Sequence, residues 1–244
     1  MEAQIIQLAK EIVEAYHRKP TDRRLLVAIA GYVLAPPSEG PPDCSSPPGC
    51  GKSTIAYPLV SRVNALLGGD EAAICISLDG WHYSRAELDR MPDPVEAHWR
   101  RGAAFTFDLP SYRRFLQQLV LPISEAPPKL PFPTFDHALK DPLPSPTPLL
   151  PVHRIVLVEG LYTCLDINGW EDCAGLMDLR IWVDVDRETA RRRVISRNFA
   201  AGISESLEKC AERVDGNDMD NGEFVRSHRM QPTHVVVSVD ELPN

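Results

Sequence analysis

The segment 47–54 contains the residues whose chemistry is easiest to predict. It reads Pro-Pro-Gly-Cys-Gly-Lys-Ser-Thr, leads directly into a helical pattern and has an apolar run upstream. Glycine amides can wrap closely around a phosphate group, and the first turn of a helix adds N–H donors and partial positive charge. We therefore predict a nucleotide-binding loop made by Pro48, Gly49, Cys50, Gly51, Lys52, Ser53 and Thr54.

Three side chains of this loop have distinct roles in such a site. The Lys52 ammonium would reach the β- and γ-phosphates of ATP, and it counts as catalytic because it would clamp them during transfer. The Ser53 hydroxyl would be a ligand of Mg²⁺, and Thr54 would support the same turn. The cofactors predicted from the loop are therefore ATP and Mg²⁺.

The loop departs from the usual spacing at one position. The pattern G-x-x-x-x-G-K-[ST] requires a glycine where this chain has Ser46. Removal of residues 32–46 would join Gly31 to Pro47 and restore the pattern directly after an apolar run. Our hypothesis is that 32–46 is an insertion, such as a retained intron. The alternative is a tolerated loop in which Ser46 replaces the glycine, with weakened nucleotide binding.

Two acidic residues directly follow apolar runs that read as buried strands. Asp79 follows residues 72–78, and Glu159 follows residues 152–158. Ligands of open α/β sheets bind at the carboxyl ends of the strands, so both carboxylates are candidates for a metal site there. Glu159 would hold Mg²⁺ or a water bound to it. The alternatives are a capping role for Asp79 and an ion pair with a nearby arginine for Glu159.

The pattern of elements around these residues indicates an α/β fold. Apolar runs that read as strands alternate with helical patterns, which predicts a mostly parallel sheet flanked by helices. The predicted strands are 25–30, 72–78, 152–158, 179–185 and 233–239, with a β-like patch at 132–135. The predicted helices are 2–18, 52–67, 187–201 and 204–213, with helical stretches near 84–101 and 110–120. We expect one domain over 1–244, with a proline-rich excursion at 122–151.

Several short segments occur together in a fixed order. They are Leu-Asp-Gly-Trp-His at 78–82, Arg-Gly-Ala-Ala-Phe-Thr-Phe-Asp at 101–108, Pro-Thr-Phe-Asp-His at 133–137 and Val-Glu-Gly-Leu-Tyr at 158–162. With the phosphate loop, they resemble the phosphoribulokinase/uridine kinase family, which includes pantothenate kinase-like members. The resemblance covers about residues 24–240. It implies a P-loop NTPase three-layer fold and transfer of the ATP γ-phosphoryl group to a hydroxyl of a nucleoside-like or related metabolite.

The resemblance also implies roles for individual residues. Asp79 would accept the proton of the acceptor hydroxyl or contact Mg²⁺. The helix predicted over 187–201 resembles a mobile lid, in which Arg193 and Arg197 would stabilise charge on the transferring group. The alternative is a solvated basic helix. The stretch 217–222 resembles a turn near the nucleotide base, and it also fits an ordinary turn.

The acceptor side of the site is placed by the same resemblance. Phe135 would stack on a ring of the acceptor, and neighbouring polar groups would bind its hydroxyls. The alternative for each residue is a packing or turn role. The substrate-binding residues implied are His82, Arg101, Asp108, Phe135, Asp136 and His137.

Composition limits the classes of partner. The formal net charge is −8, which argues against a protein devoted to duplex nucleic acid. Apolar runs fall short of the roughly 18 residues of a membrane span, and the six cysteines form no C-x-x-C pair. We expect a soluble cytoplasmic protein with a small-molecule substrate and no nucleic-acid or membrane partner, and the sequence leaves a homodimer open. Alternatives to an active kinase are a nucleotide-binding regulator without turnover and an inactive splice product.

Overall fold

The computed structural model of the chain describes residues 2–31, 53–69, 71–136, 138–200, 202 and 205–238. Its strands are β1 (Leu25–Gly31), β2 (Ala73–Ser77), β3 (Pro133–Asp136), β4 (Asp141–Pro144), β5 (Ile155–Glu159), β6 (Leu179–Asp184) and β7 (His234–Val237). Its α-helices are α1 (Glu2–His17), α2 (Ser53–Leu66), α3 (Arg85–Leu88), α4 (Pro94–Trp99), α5 (Leu109–Leu119), α6 (Glu171–Ala174), α7 (Arg187–Ala200), α8 (Leu207–Arg213) and α9 (Met219–Ser227).

The main sheet confirms the predicted α/β fold. Its five strands follow the order β2-β5-β1-β6-β7 and are all parallel. Each of the five corresponds to one of the apolar runs that predict strands. Buried parallel strands have continuous apolar sequences because helices cover both of their faces.

Strand β1 illustrates how the sheet separates two apolar layers. Its residues alternate between the faces, so that Leu26 and Ala28 pack on one side and Val27 and Ile29 on the other. Helices α1 and α2 cover the second face, and the first face carries α5 together with a group of buried aromatic side chains. The aromatic residues of that group are Trp81, Phe107, Tyr112, Phe115, Tyr162, Trp170 and Trp182.

The helical stretch predicted near 84–101 is divided in the structure. It forms two short helices, α3 and α4, with residues 89–93 between them. Pro92 lies in this connection, Asp93 caps α4 by accepting from the N–H of Glu96, and Pro94 occupies the first helical position. A proline disfavours helical backbone in the residue before it, so the pair of prolines ends one helix and begins the next.

The proline-rich excursion contains a hairpin in the structure. Strands β3 and β4 pair antiparallel, with Phe135 opposite Pro142. Leu130 and Leu149 exchange two backbone hydrogen bonds of 2.9 Å at its base. The hairpin packs on the 3₁₀ turn Leu78–Trp81, where a Cβ on Gly80 would lie 2.3 Å from the Pro133 carbonyl oxygen. Residue 80 must therefore be glycine for the hairpin to approach this closely.

The turn expected at 217–222 is wrong. The chain there forms a π-helical turn, Val214–Asp218, that continues directly into α9. Asn217 and Asn221 are buried, and the side-chain amide of Asn221 donates to the Asn217 side-chain oxygen at 3.1 Å. These internal hydrogen bonds offset the weak helix propensity of asparagine, which is why a turn-like composition folds as helix.

The β7 edge of the sheet is closed by a side chain from α1. The Gln4 amide donates to the Val237 carbonyl oxygen at 3.4 Å and accepts from the Val237 N–H at 3.1 Å. His234 on the same strand lies 3.3 Å from a carboxylate oxygen of Glu11. Helix α1 therefore contacts the outermost strand as well as the face of the sheet.

Candidate active site

The two predicted acids lie at the carboxyl ends of two neighbouring strands of the main sheet. Glu159, the last residue of β5, pairs in register with Ser77 of β2 and with Ile29 of β1. Asp79 follows β2 on the 3₁₀ turn, where its N–H donates to the Ser77 hydroxyl at 3.3 Å. Glu159 is buried, with 6% of its surface exposed. Both residues thus follow the carboxyl ends of adjacent strands, where open α/β sheets bind ligands.

The phosphate loop itself falls largely outside the described residues. Pro48, Gly49, Cys50, Gly51 and Lys52 lie there, as do His137 and the side chains of Ser53 and Thr54. Helix α2 begins at Ser53, next to the loop as predicted, and buries Ile55, Leu59 and Val63 in the apolar layer shared with β1 and β5. The start of α2 and the end of β1 therefore flank the loop segment in the chain.

An aromatic wall lies beside Asp79. The His82 ring is 4.0 Å from the Phe107 ring and 5.2 Å from the Phe135 ring, measured between centroids. Its Nδ1 lies 2.8 Å from the Asp79 carbonyl oxygen, and it must carry the proton because a carbonyl can only accept. The structure therefore brings together three predicted residues, Asp79, His82 and Phe135, from two separate segments.

Arg101 fastens the hairpin to this wall. Its guanidinium lies 5.5 Å from the Phe135 ring centroid and donates to the Tyr83 carbonyl at 2.9 Å and to Asp141 at 3.1 Å. Burial lowers the pKa of Arg101, although its hydrogen bond to Asp141 opposes that shift. For Asp141, burial would raise the pKa, but hydrogen bonds from the Arg85 N–H and the Arg101 side chain outweigh it, so its pKa is lowered.

Arg101 and Arg85 provide a matched pair of substitutions, because both contact Asp141. The Arg101 side chain is 14% exposed and that of Arg85 is 58% exposed. We expect Arg101→Met to lower the free energy of unfolding by about 2 kcal/mol, because it removes donors from the partly buried Tyr83 carbonyl and from Asp141. Arg85→Met should cost less than about 0.5 kcal/mol, as exposed ion pairs do. Urea unfolding followed by circular dichroism measures both, and equal losses would contradict this role for Arg101.

Asp108 and Asp136 each cap a local element. One carboxylate oxygen of Asp108 accepts from the Ser111 N–H at 3.0 Å, at the start of α5. One oxygen of Asp136 accepts from the N–H groups of Ala138 and Leu139 at 2.8 and 2.9 Å. These contacts resemble the turn roles considered as the alternative. An acceptor would have to be bound through the second oxygen of either residue.

The predicted lid arginines lie on α7 and contact neighbouring polar side chains. Arg193 donates to the Ser238 hydroxyl at 2.8 Å, and Arg197 donates twice to the Asn198 side-chain oxygen, at 2.8 and 3.0 Å. Beside Arg193, at the carboxyl ends of β6 and β7, lies a cleft of about 600 Å³. It is lined by Asp184, Val185, Asp186, Arg187, Thr189, Arg226, Val237 and Ser238.

A cluster of polar side chains, Tyr162, Asn198, Asn217 and Asp218, links α7 to the backbone at 101–102. The sequence patterns do not predict this cluster. The Asn217 amide donates to the Arg101 carbonyl at 3.2 Å, and the Tyr162 hydroxyl donates to the Gly102 carbonyl at 2.8 Å. Asp218 accepts from the Asn198 amide at 3.1 Å, and burial raises the pKa of Asp218 despite nearby arginines. The Asn and Asp residues of 215–221 are the sequence signal for this cluster, but the same residue types are also typical of the turn predicted at 217–222.

The carboxylates at the sheet edge fit a magnesium ion shared with a nucleotide. Mg²⁺ is usually held by one or two carboxylates together with substrate phosphates and water, and Asp79 and Glu159 supply that number. Among the described residues, no group of three His, Cys, Asp or Glu side chains is placed to hold a metal without such help. In the same part of the chain, no helix is long and apolar enough to cross a membrane.

Comparison with known proteins identifies the family of this chain. The model of the phosphoribulokinase/uridine kinase family matches residues 44–242. The ATP-dependent kinase-like protein notR′ of Aspergillus versicolor is 38% identical over 159 residues, which cover 65% of this chain and 92% of that protein. A protein of Schizosaccharomyces pombe with the provisional name uridine kinase C227.14 is 36% identical over 189 residues, covering 78% and 79% of the two chains.

Among solved structures, YFH7 of Saccharomyces cerevisiae has the same fold. The TM-score is 0.77 at 20% identity, over 98% of this chain and 99% of that one. The predicted P-loop NTPase fold, with a mostly parallel sheet flanked by helices, is therefore confirmed. The match of the family model to most of the chain shows that this protein belongs to the phosphoribulokinase/uridine kinase family.

Proposed function

We propose that the chain transfers the γ-phosphoryl group of ATP to a hydroxyl group of a nucleoside-like or related metabolite. The observation that carries the proposal is the placement of Asp79. This residue stands between the sheet edge that holds Glu159 and the aromatic wall of His82 and Phe135. It is thus next to both the proposed nucleotide side and the proposed acceptor side.

Asp79 is proposed to orient the acceptor hydroxyl and to accept its proton. In phosphoryl transfer the protein contributes mainly position and electrostatic stabilisation, and a carboxylate beside the nucleophile serves both. The Ser77 cap and the hydrogen bond from His82 fix the backbone on either side of the Asp79 carboxylate. The backbone that carries the Asp79 side chain is therefore held in place by two hydrogen bonds.

Glu159 and Ser53 are proposed to hold Mg²⁺ against the phosphates. The bound ion neutralises charge that develops on the transferring group. Lys52 is proposed to clamp the β- and γ-phosphates, while Arg193 and Arg197 approach from α7. Arg193 contacts Ser238, which lines the cleft at the carboxyl ends of β6 and β7, and Arg197 contacts Asn198 on the same helix.

The aromatic wall favours an acceptor that contains a ring. A planar or sugar ring gains from stacking against aromatic side chains, and Phe107, Phe135 and His82 form one continuous group. We propose that His82, Phe135, Asp136 and His137 face the acceptor, with Asp108 nearby. Arg101 is proposed to act on the acceptor by holding the hairpin and Phe135 in place.

A screen for acceptors tests the proposed function. ADP formation from ATP and Mg²⁺ would be measured against nucleosides, sugars, sugar phosphates and hydroxy acids, with the full chain and with a variant lacking 32–46. We expect at least one hydroxyl compound to raise ADP formation well above its rate in water. Mass spectrometry should then find the phosphorylated acceptor. An ADP rate that no compound raises, in either chain, would contradict the proposal.

A further inference from the structure

Two arginines that the proposed reaction does not use lie side by side at the amino ends of the strands, opposite the carboxyl ends that carry Asp79 and Glu159. Arg24 immediately precedes β1 and Arg154 immediately precedes β5, and the next residues, Leu25 and Ile155, pair in register. Neighbouring strands are about 4.8 Å apart, so the two arginines start from adjacent backbone positions. Arg24 is buried, with 3% of its surface exposed.

Neither guanidinium is saturated by the protein. The Arg24 Nε donates to the His153 carbonyl at 3.1 Å, while its Nη1 is buried without an acceptor among the described residues. One Nη of Arg154 donates to the Arg23 carbonyl at 3.1 Å, and its Nε is likewise buried without an acceptor in that part of the chain. A guanidinium has five N–H donors, so most of the donors of both side chains remain for another partner.

The charge of the pair is also uncompensated. Burial and the charge of Arg154 lower the pKa of Arg24. Asp178 lies at the same end of the sheet, directly before β6. It is already bonded to Lys19, at 2.6 Å, and to the N–H of Leu26, at 2.9 Å. Within the described ranges, neither Arg24 nor Arg154 forms an ion pair with a carboxylate. Buried charges in proteins are normally paired, so a pair of like charges here points to an anionic partner.

We propose that Arg24 and Arg154 together bind a phosphate group at the amino ends of β1 and β5. Planar guanidinium forks match the oxygens of phosphate in geometry, and two positive charges favour a dianion over a monoanion. Tyr16 of α1 contacts one member of the pair, since the Arg154 guanidinium lies 5.8 Å from its ring centroid. The seven residues of β1 lead about 20 Å from Arg24 to the carboxyl end of that strand, beside which Glu159 ends β5, so the proposed phosphate site is distinct from the proposed kinase site.

The experiment measures thermal unfolding of the full chain as phosphate is added at constant ionic strength. All the proteins compared carry Lys52→Ala, which is intended to weaken phosphate binding at the nucleotide loop, and the protein with this substitution alone is called the background protein. A ligand that binds the folded state raises Tm, and at ten times its dissociation constant the rise is about 3–6 °C for a chain of this size. We expect this rise in the background protein and its loss in Arg24→Met and Arg154→Met, with each variant compared with its own Tm without phosphate.

Arg62→Met is the matched control, because Arg62 is 45% exposed and pairs with Glu2 on the surface. It should keep the full response to phosphate. A response of equal size in Arg24→Met and Arg62→Met, or no response in the background protein, would overturn the proposal. Equilibrium dialysis with radiolabelled phosphate gives the same comparison without heating.

Further ligands define the source of the phosphate group. Acetate at the same ionic strength should give a smaller rise than phosphate, and an equal rise would contradict a site for a dianion. Glycerol 3-phosphate should match inorganic phosphate if the site takes a phosphorylated metabolite, and it should fall below it if the site takes the free ion. Because no step uses the kinase site, failure here would leave the proposed function untouched.

Discussion

Substitution of Asp79 by asparagine is expected to lower the rate of phosphoryl transfer by about two to four orders of magnitude, the usual contribution of a positioned acid or base. Asparagine has nearly the same shape and leaves the Ser77 cap intact, because that contact uses the backbone N–H. Affinity for nucleotide should change by only a few-fold. Single-turnover formation of the phosphorylated product measures the transfer step, and fluorescence titration with an ATP analogue measures binding.

Asp172→Asn is a suitable control for the Asp79 variant. Asp172 lies on the surface of α6, where it forms an ion pair of 3.0 Å with Arg113. Its loss should leave the transfer rate within a factor of about three, since exposed ion pairs contribute little. If the Asp79 variant transferred phosphate as fast as this control, Asp79 would have no part in the chemistry.

Deletion of residues 32–46 is expected to raise the affinity for ATP about tenfold. Its effect would be to connect β1 directly to the phosphate loop and to place Gly31 at the position where Ser46 now stands in the pattern. A non-glycine residue held in a left-handed conformation costs about 1–2 kcal/mol, and 1.4 kcal/mol corresponds to a factor of ten in affinity. Isothermal titration with a non-hydrolysable ATP analogue compares the two chains.

Two further variants test whether the gain in ATP affinity comes from the restored phosphate loop. A chain in which 32–45 are replaced by fourteen Gly and Ser residues and Ser46 is kept should bind ATP like the full chain, because serine still occupies the glycine position of the pattern. Lys52→Ala in the deleted chain should abolish the gain. Equal ATP affinity of the full and deleted chains would instead mean that the segment is a tolerated loop.

The sheet could be predicted from the sequence because its signals are local. Apolar runs such as Leu25–Ala30 and Ile155–Val158 follow the burial of parallel strands directly. The same is true of the acids at 79 and 159, whose positions follow from the ends of those runs. Patterns of this kind do not depend on which distant segment a strand meets.

The rest of the site depends on contacts between distant segments, and local sequence patterns indicate such contacts only weakly. Strand β4 contains two prolines, Pro142 and Pro144, which argue against a strand unless it is an edge with outward-facing nitrogens. The part played by Arg101 depends on Asp141, which is forty residues away. Asn217 and Asn221 are helical because they bond to each other and to the Arg101 region, and no local propensity indicates that.

The closure of β7 by Gln4 has a consequence for association between molecules. An open strand edge is a template for pairing with another chain, and Val235 and Val237 already expose 56% and 50% of their surfaces. The Gln4 amide occupies the backbone donor and acceptor of Val237 as a sixth strand would. The first turn of α1 thus protects this strand from β-pairing with another molecule, and removal of that turn should make the protein aggregate more readily.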